Sequence, residues 1–237
     1  MEGPLVSAAE REDRRRAAVF GKVRRALAGE GEGEARREAV RERLSRHKAN
    51  VIPARGQVDG ESRVALFAEM AEKVSATVER IASPEDLPEA VAEYLRAKNL
   101  PSALRMGADA RLRDLPWQKA PQIELKHGPS DGHDLATLSH AFAGVAETGT
   151  LYLVSGEDNP TSLNFLPEHH LVVIAASDIA GDYEAVWAEL RARAEKEGLP
   201  RTVNLITGPS RSADIEQTLL LGAHGPRALH IFVVGKG

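Results

Sequence analysis

Two short segments hold residues whose types and spacing suit chemistry. The first is Ala146-Glu147-Thr148-Gly149-Thr150, a carboxylate and two hydroxyls around a glycine. The small residues Ala143, Gly144 and Ala146 favour a short strand over 141–146, which puts Glu147 at its carboxyl end in a tight turn. A carboxylate so placed can act as general base or nucleophile. Thr148, Gly149 and Thr150 then become ligand contacts. If 141–146 instead continues a preceding helix, Glu147 moves to the opposite edge and is an exposed turn residue.

The second segment is Thr207-Gly208-Pro209-Ser210-Arg211-Ser212, read as the loop between a strand at 203–206 and a helix over about 214–221. Ligands of open α/β sheets gather at the carboxyl ends of strands. Thr207, Gly208, Pro209, Ser210 and Arg211 are therefore candidate ligand contacts, with Asp214 at a helix start that favours an anion such as a phosphate or carboxylate. The competing role for Asp214 is a helix cap, with Gln217 completing a capping box. Glu216, inside the expected first turn, is less easily explained as a cap and is a second candidate catalytic carboxylate. The loop lacks the Gly-Lys-Ser/Thr ending of a P-loop and is not a G-x-G-x-x-G fingerprint.

The histidines are weaker candidates. His169 and His170 point in opposite directions on an extended segment, at the amino end of a strand over 171–175, so no metal site is expected there. His224 follows a helix and precedes the last strand, which in a right-handed crossover sets it away from the carboxyl edge. His127 and His133 are better placed but nothing supports them.

The elements that must position these residues alternate. Strands are expected at about 76–81, 103–106, 123–127, 150–154, 171–175, 203–206 and 229–234, and helices at 84–98, 182–197 and 214–221; 134–140 reads as helix or turn. Such alternation predicts a mainly parallel sheet covered on both faces. Ahead of it, two basic helices (10–27 and 34–48) and a helix at 61–74 carrying Val64, Phe67, Met70, Ala71 and Val74 are expected. Residues 1–60 are read as a basic helical arm and 61–237 as the α/β domain.

Composition narrows the chemistry. The 237 residues contain no cysteine, which excludes disulfides, thiolate-held zinc or iron–sulfur clusters and cysteine nucleophiles. No apolar run reaches the roughly 18 residues of a membrane span. No leader is evident at the N-terminus, and a cytoplasmic location is expected. Net charge is −4, yet residues 11–48 carry 13 Lys and Arg against 7 Asp and Glu. A basic arm on an acidic body suggests docking or nucleic-acid contact, but no nucleic-acid recognition motif accompanies it and a solvated helix face is the simpler reading.

The runs 146–151 and Leu166-Pro167-Glu168-His169-His170-Leu171-Val172-Val173 resemble the central signature of the LUD domain. The runs 206–217 and Leu221-Gly222-Ala223-His224-Gly225-Pro226-Arg227 resemble the end of the lactate-utilisation protein C family, as does the arginine-rich first helix. The pattern departs at Ser212, where the family has threonine; the hydroxyl is retained. The resemblance implies a three-layer α/β fold of the NagB/RpiA/CoA-transferase-like type with a mostly parallel central sheet. It also implies a part in oxidising L-lactate to pyruvate beside two partners, the lactate-utilisation proteins A and B, which carry iron–sulfur clusters. No cofactor or metal is then expected in this chain. A stand-alone enzyme acting on a CoA-linked or phosphorylated small molecule, with Glu147 as nucleophile or base, is the alternative.

Overall fold

The computed structural model describes residues 8–27, 33–213 and 219–236. It divides into two units, Met1–Asn50 and Val51–Gly237. The first holds α1 (Ala8–Leu27) and α2 (Gly33–Arg46). Their apolar stripes, Val19, Phe20, Val23 and Leu27 on α1 and Val40 and Leu44 on α2, stay exposed. Arg41–Glu38 and Arg46–Glu42 pairs lace α2, each adding a few tenths of a kcal/mol.

In the second unit, α3 (Gly60–Lys73) buries Val64, Phe67 and Ala71 and leads into β1 (Thr77–Ile81). Ser83 caps the next turn by accepting from the Glu85 amide, and α4 (Leu87–Ala97) buries Leu87, Val91, Tyr94 and Leu95. There follow β2 (Ala103–Met106), the single-turn α5 (Ala110–Arg113), β3 (Glu124–His127), β4 (Ala136–His140), β5 (Ala143–Val145) and β6 (Thr150–Val154). Next come α6 (Ser162–Phe165), β7 (His169–Ala175), β8 (Ile179–Ala180) and α7 (Tyr183–Glu197). The order closes with β9 (Val203–Ile206), β10 (Arg211–Ala213), β11 (Leu219–Leu221) and β12 (Ala228–Val234).

Six strands form a wholly parallel sheet in the order β1-β12-β7-β4-β2-β3. A smaller mixed sheet runs β8-β5-β6-β9, with β6 antiparallel to both neighbours. The parallel strands read as near-continuous apolar runs because both faces are covered. Val172, Ile174, Ile231 and Val233 face one core, shared with α3 and with Leu151 and Leu153 of the small sheet. Leu171, Val173 and Phe232 face the other, against α4. The outer face of the small sheet packs Tyr152 and Val145 on Val186 of α7. The expected α/β architecture with a mostly parallel central sheet is what the chain adopts. Among the described residues, no helix is long and apolar enough to cross a membrane.

Three expectations need correction. Residues 136–140 are a central strand, not helix or turn. Thr137 and Ser139 made the segment look polar, but both hydroxyls are buried and bonded, Thr137 Oγ1 to the Leu163 carbonyl at 2.7 Å and Ser139 Oγ to Asn164 Oδ1 at 3.3 Å. The helix expected over 214–221 is also absent where the chain is described: β10 and β11 pair antiparallel, Arg211 opposite Leu221 and Ser212 opposite Leu220. Asp214, Glu216 and Gln217, on which the helix start rested, lie outside the described residues. Finally, β9 belongs to the small sheet, where it pairs only with β6, so the carboxyl-edge rule for open parallel sheets does not govern the loop that follows it.

Gly149 closes the turn between β5 and β6 with φ +67°, and a Cβ there would strike the Ala71 backbone nitrogen. Gly149→Ala is expected to cost at least about 2 kcal/mol in urea unfolding. Gly198→Ala, at φ +83° with open space around it, carries backbone strain alone and should cost less, about 1–2 kcal/mol. Equal effects would contradict the contact with α3.

Three histidines stand near the amino ends of the central strands. Burial pushes His170 down to about 3 and, with help from Lys98, His230 down to about 4. His169 is lowered by burial as well. Below pH 6.5 the unfolded chain takes up protons that the folded chain refuses, so stability is present above that pH and falls as pH drops. Each histidine contributes up to about 1.4 kcal/mol of loss per pH unit. The urea midpoint should fall steeply between pH 7 and 5, and His230→Phe should flatten the fall; an unchanged slope would contradict the burial of a neutral ring.

Candidate functional site

A cavity of 320 Å³ opens where β9 ends and β7 and β12 begin. It lies at the lower end of the size range of small-molecule sites, about 300–1,000 Å³. One wall is the loop Thr207, Gly208, Pro209, Ser210 and Arg211; the opposite wall is His224, Gly225 and Pro226. Two backbone bonds clamp the walls together, Ser210 N to the Pro226 carbonyl at 2.8 Å and Gly222 N to the Ser210 carbonyl at 2.9 Å. Arg211 is anchored by a 2.6 Å bond from its guanidinium to the Val74 carbonyl. The lining holds one arginine and two histidines and, among the described residues, no carboxylate.

Two further lining residues, His170 of β7 and Asn164 of α6, are each 1% exposed. Both bond to Ser139 on β4, whose Oγ donates to Asn164 Oδ1 and meets His170 Nε2 at 3.1 Å. The serine proton is committed to Asn164, so the neutral ring carries its own proton on Nε2. His170 Nδ1 is left as a bare acceptor and Asn164 Nδ2 as a free donor, and neither has a partner among the described residues. Buried groups left this way cost about 1–3 kcal/mol each until something bonds them. Running the relay in reverse, with Asn164 donating to Ser139 and Ser139 to His170, exchanges the roles and again leaves one donor and one acceptor.

The two segments singled out in the sequence meet at one point. Thr150 Oγ1 lies 2.7 Å from Thr207 Oγ1 and 2.8 Å from both the Tyr183 hydroxyl and Thr148 Oγ1. This hydroxyl cluster ties the β5–β6 turn and α7 to the cavity loop. Thr148, Gly149, Thr150 and Glu147 do not line the cavity themselves. Glu147 is 3% exposed, with Arg55 Nε 3.8 Å from its Oε2 and no hydrogen bond on that oxygen. Its amide donates to the Gly181 carbonyl at 3.2 Å.

The carboxyl edge, where ligands were expected, offers less. A 50 Å³ pocket there is lined by Asp109, Arg111, His140, Asp158 and Arg193. Asp109 is already held by Arg111 at 2.6 Å. Among the described residues no group of three His, Asp or Glu is arranged to hold a metal ion. His224 and His170, set aside in the sequence because they belong to the amino edge, line the larger cavity for that reason. Ser139 carried one readable signal, a polar residue that interrupts apolar surroundings without turn-forming neighbours; Asn164, between Pro160 and Pro167, carried none.

Residues 134–234 match the LUD domain family model. Over 91 residues the chain is 42% identical to lactate utilization protein C of Halalkalibacterium halodurans, covering 38% of this chain and 40% of that protein. Over 110 residues it is 36% identical to the protein of that name from Geobacillus kaustophilus, covering 45% and 46%. The match thus spans less than half the length of these curated relatives. The fold is similar to the crystal structure of a DUF162 family protein from Deinococcus radiodurans, with a TM-score of 0.52 and 23% identity over 73% of this chain and 96% of that one. Every residue lining the cavity falls within 134–234. Residues 134–234 are thus similar to the LUD domain, and the chain is similar in part to proteins named lactate utilization protein C.

Proposed function

We propose that the chain is a component of a cytoplasmic, bacterial L-lactate utilisation system. It works beside the iron–sulfur lactate-utilisation proteins A and B and holds no redox centre of its own. The observation that carries this reading is the likeness to lactate utilization protein C, beside a LUD-domain match over 134–234 that contains the residues lining the cavity. Oxidising L-lactate to pyruvate releases two electrons and two protons. A chain without cysteine has no thiolate with which to hold a cluster that would take those electrons, and partner proteins supply that role. The cavity, with Arg211 among its lining and the hydroxyls of Thr207 and Ser210 on the same loop, suits a small anionic ligand.

Deleting the gene from its host should abolish growth on L-lactate as sole carbon source while sparing growth on pyruvate, and complementation should restore it. The tagged chain drawn from lactate-grown cells should return iron-bearing proteins with lactate-oxidising activity. Unimpaired growth on lactate, in a host with no second lactate oxidase, would contradict the reading.

A further inference from the structure

Residues 14–27 of α1 hold Arg14, Arg15, Arg16, Lys22, Arg24 and Arg25 and no Asp or Glu. None of these six cations has an ion pair among the described residues, whereas on α2 Arg41 and Arg46 are answered by Glu38 and Glu42. Within the same stretch Val19, Val23 and Leu27 recur every fourth residue with Phe20 beside them, and all four are exposed, by 46% to 70%. At about 100° per residue they fill an arc of about 100°, and nothing else between 17 and 27 falls inside it. Lys22 and Arg24 flank the arc, and the Arg16 guanidinium lies 5.7 Å from the centre of the Phe20 ring.

An apolar stripe this thin, bordered directly by cations, is unlike the core of a protein–protein interface, where charged side chains are depleted. It matches a helix lying in the surface of a bilayer, with apolar residues among the acyl chains and long basic stems reaching out to the headgroups. Of the 13 basic residues in 11–48, 11 are arginine, whose planar fork pairs with phosphate through two hydrogen bonds. We propose that α1 is a docking site for an anionic phospholipid surface. Val19, Phe20, Val23 and Leu27 enter the boundary between headgroups and acyl chains, and the arginines pair with lipid phosphates. The excess of positive charge, 13 basic against 7 acidic residues over 11–48, supplies the attraction. The stripe is short, so attachment is reversible and the chain exchanges between membrane and solution. This site is independent of the cavity and of the lactate-utilisation reading.

The test is co-sedimentation of the full chain with vesicles of phosphatidylcholine alone and of phosphatidylcholine with about one third phosphatidylglycerol. The anionic vesicles should bind at least about tenfold more tightly, and raising salt from about 0.05 M to about 0.5 M should reverse most of that gain. Phe20→Gln with Val23→Gln should weaken binding at least about fivefold, while Ala17→Gln with Ala18→Gln, outside the arc, should change it by less than about twofold. All four positions are exposed and neither pair alters the charge, so the comparison isolates the apolar face. Arg24→Glu with Arg25→Glu should remove the preference for anionic vesicles. Equal binding of the unaltered chain to both vesicle types would overturn the charged contact, and equal effects of the two glutamine pairs would overturn the apolar seat. No binding to either vesicle would overturn the site. Tighter binding to duplex DNA than to anionic vesicles would overturn it too, as would self-association in place of vesicle binding, since each gives the face another occupant.

Discussion

The last strand holds the domain together. β12 lies between β1 and β7 and is parallel to both, so β1 joins the central sheet only through a strand that arrives some 150 residues later. Every residue from Leu229 to Val233 is buried, because each face of β12 meets a separate core. The register has a direct consequence for the site. Ala228 pairs with His169 and Leu229 with His170, which brings the loop entering β12, with His224, Gly225 and Pro226, over the start of β7. Cavity and core are products of the same strand placement.

The polar residues of the central sheet follow from that burial. A parallel strand covered on both faces has no water to offer a hydroxyl or imidazole, so each polar side chain must find a protein or ligand partner. Thr137 bonds the end of α6 through the Leu163 carbonyl, and Ser139 bonds Asn164 on the same turn. These two bonds fasten a helix of four residues that could not persist alone. His170 completes the set with a ring too deeply buried to accept a charge. What remains at the end of the relay is one donor and one acceptor without a partner among the described residues, both closed off from solvent.

Long apolar runs made the principal strands and the larger helices readable from residue types alone. The stripe of Val64, Phe67 and Ala71, and the strands at 150–154, 171–175 and 229–234, appear where periodicity put them. The strand at 136–140 was hidden because its polar residues are satisfied by partners some 25 residues away, which local pattern does not reveal. Allocation of strands between two sheets was equally hidden, since β5, β6, β8 and β9 resemble parallel-sheet strands in composition and differ only in their partners. The loop at 207–211 was legible as a ligand segment by its hydroxyls and glycine, but the reason attached to it, a helix N-terminus, gave way to a β10–β11 pairing. His170 and His224 were discounted by a rule for carboxyl edges, and the larger cavity opens at the other edge.

The central claim is electrostatic: beneath the cavity lies a neutral imidazole, too deeply buried to take a charge and held in one tautomer through Ser139 and Asn164. Long-range proton–nitrogen correlation spectra of the labelled chain, with His170 assigned by its loss in a His170→Gln variant, read the state of each ring nitrogen directly. The account predicts one protonated and one unprotonated nitrogen on His170, unchanged from pH 8 to pH 5. A His170 ring that takes up a second proton near pH 6.5, or that exchanges freely between its two neutral forms, would contradict it.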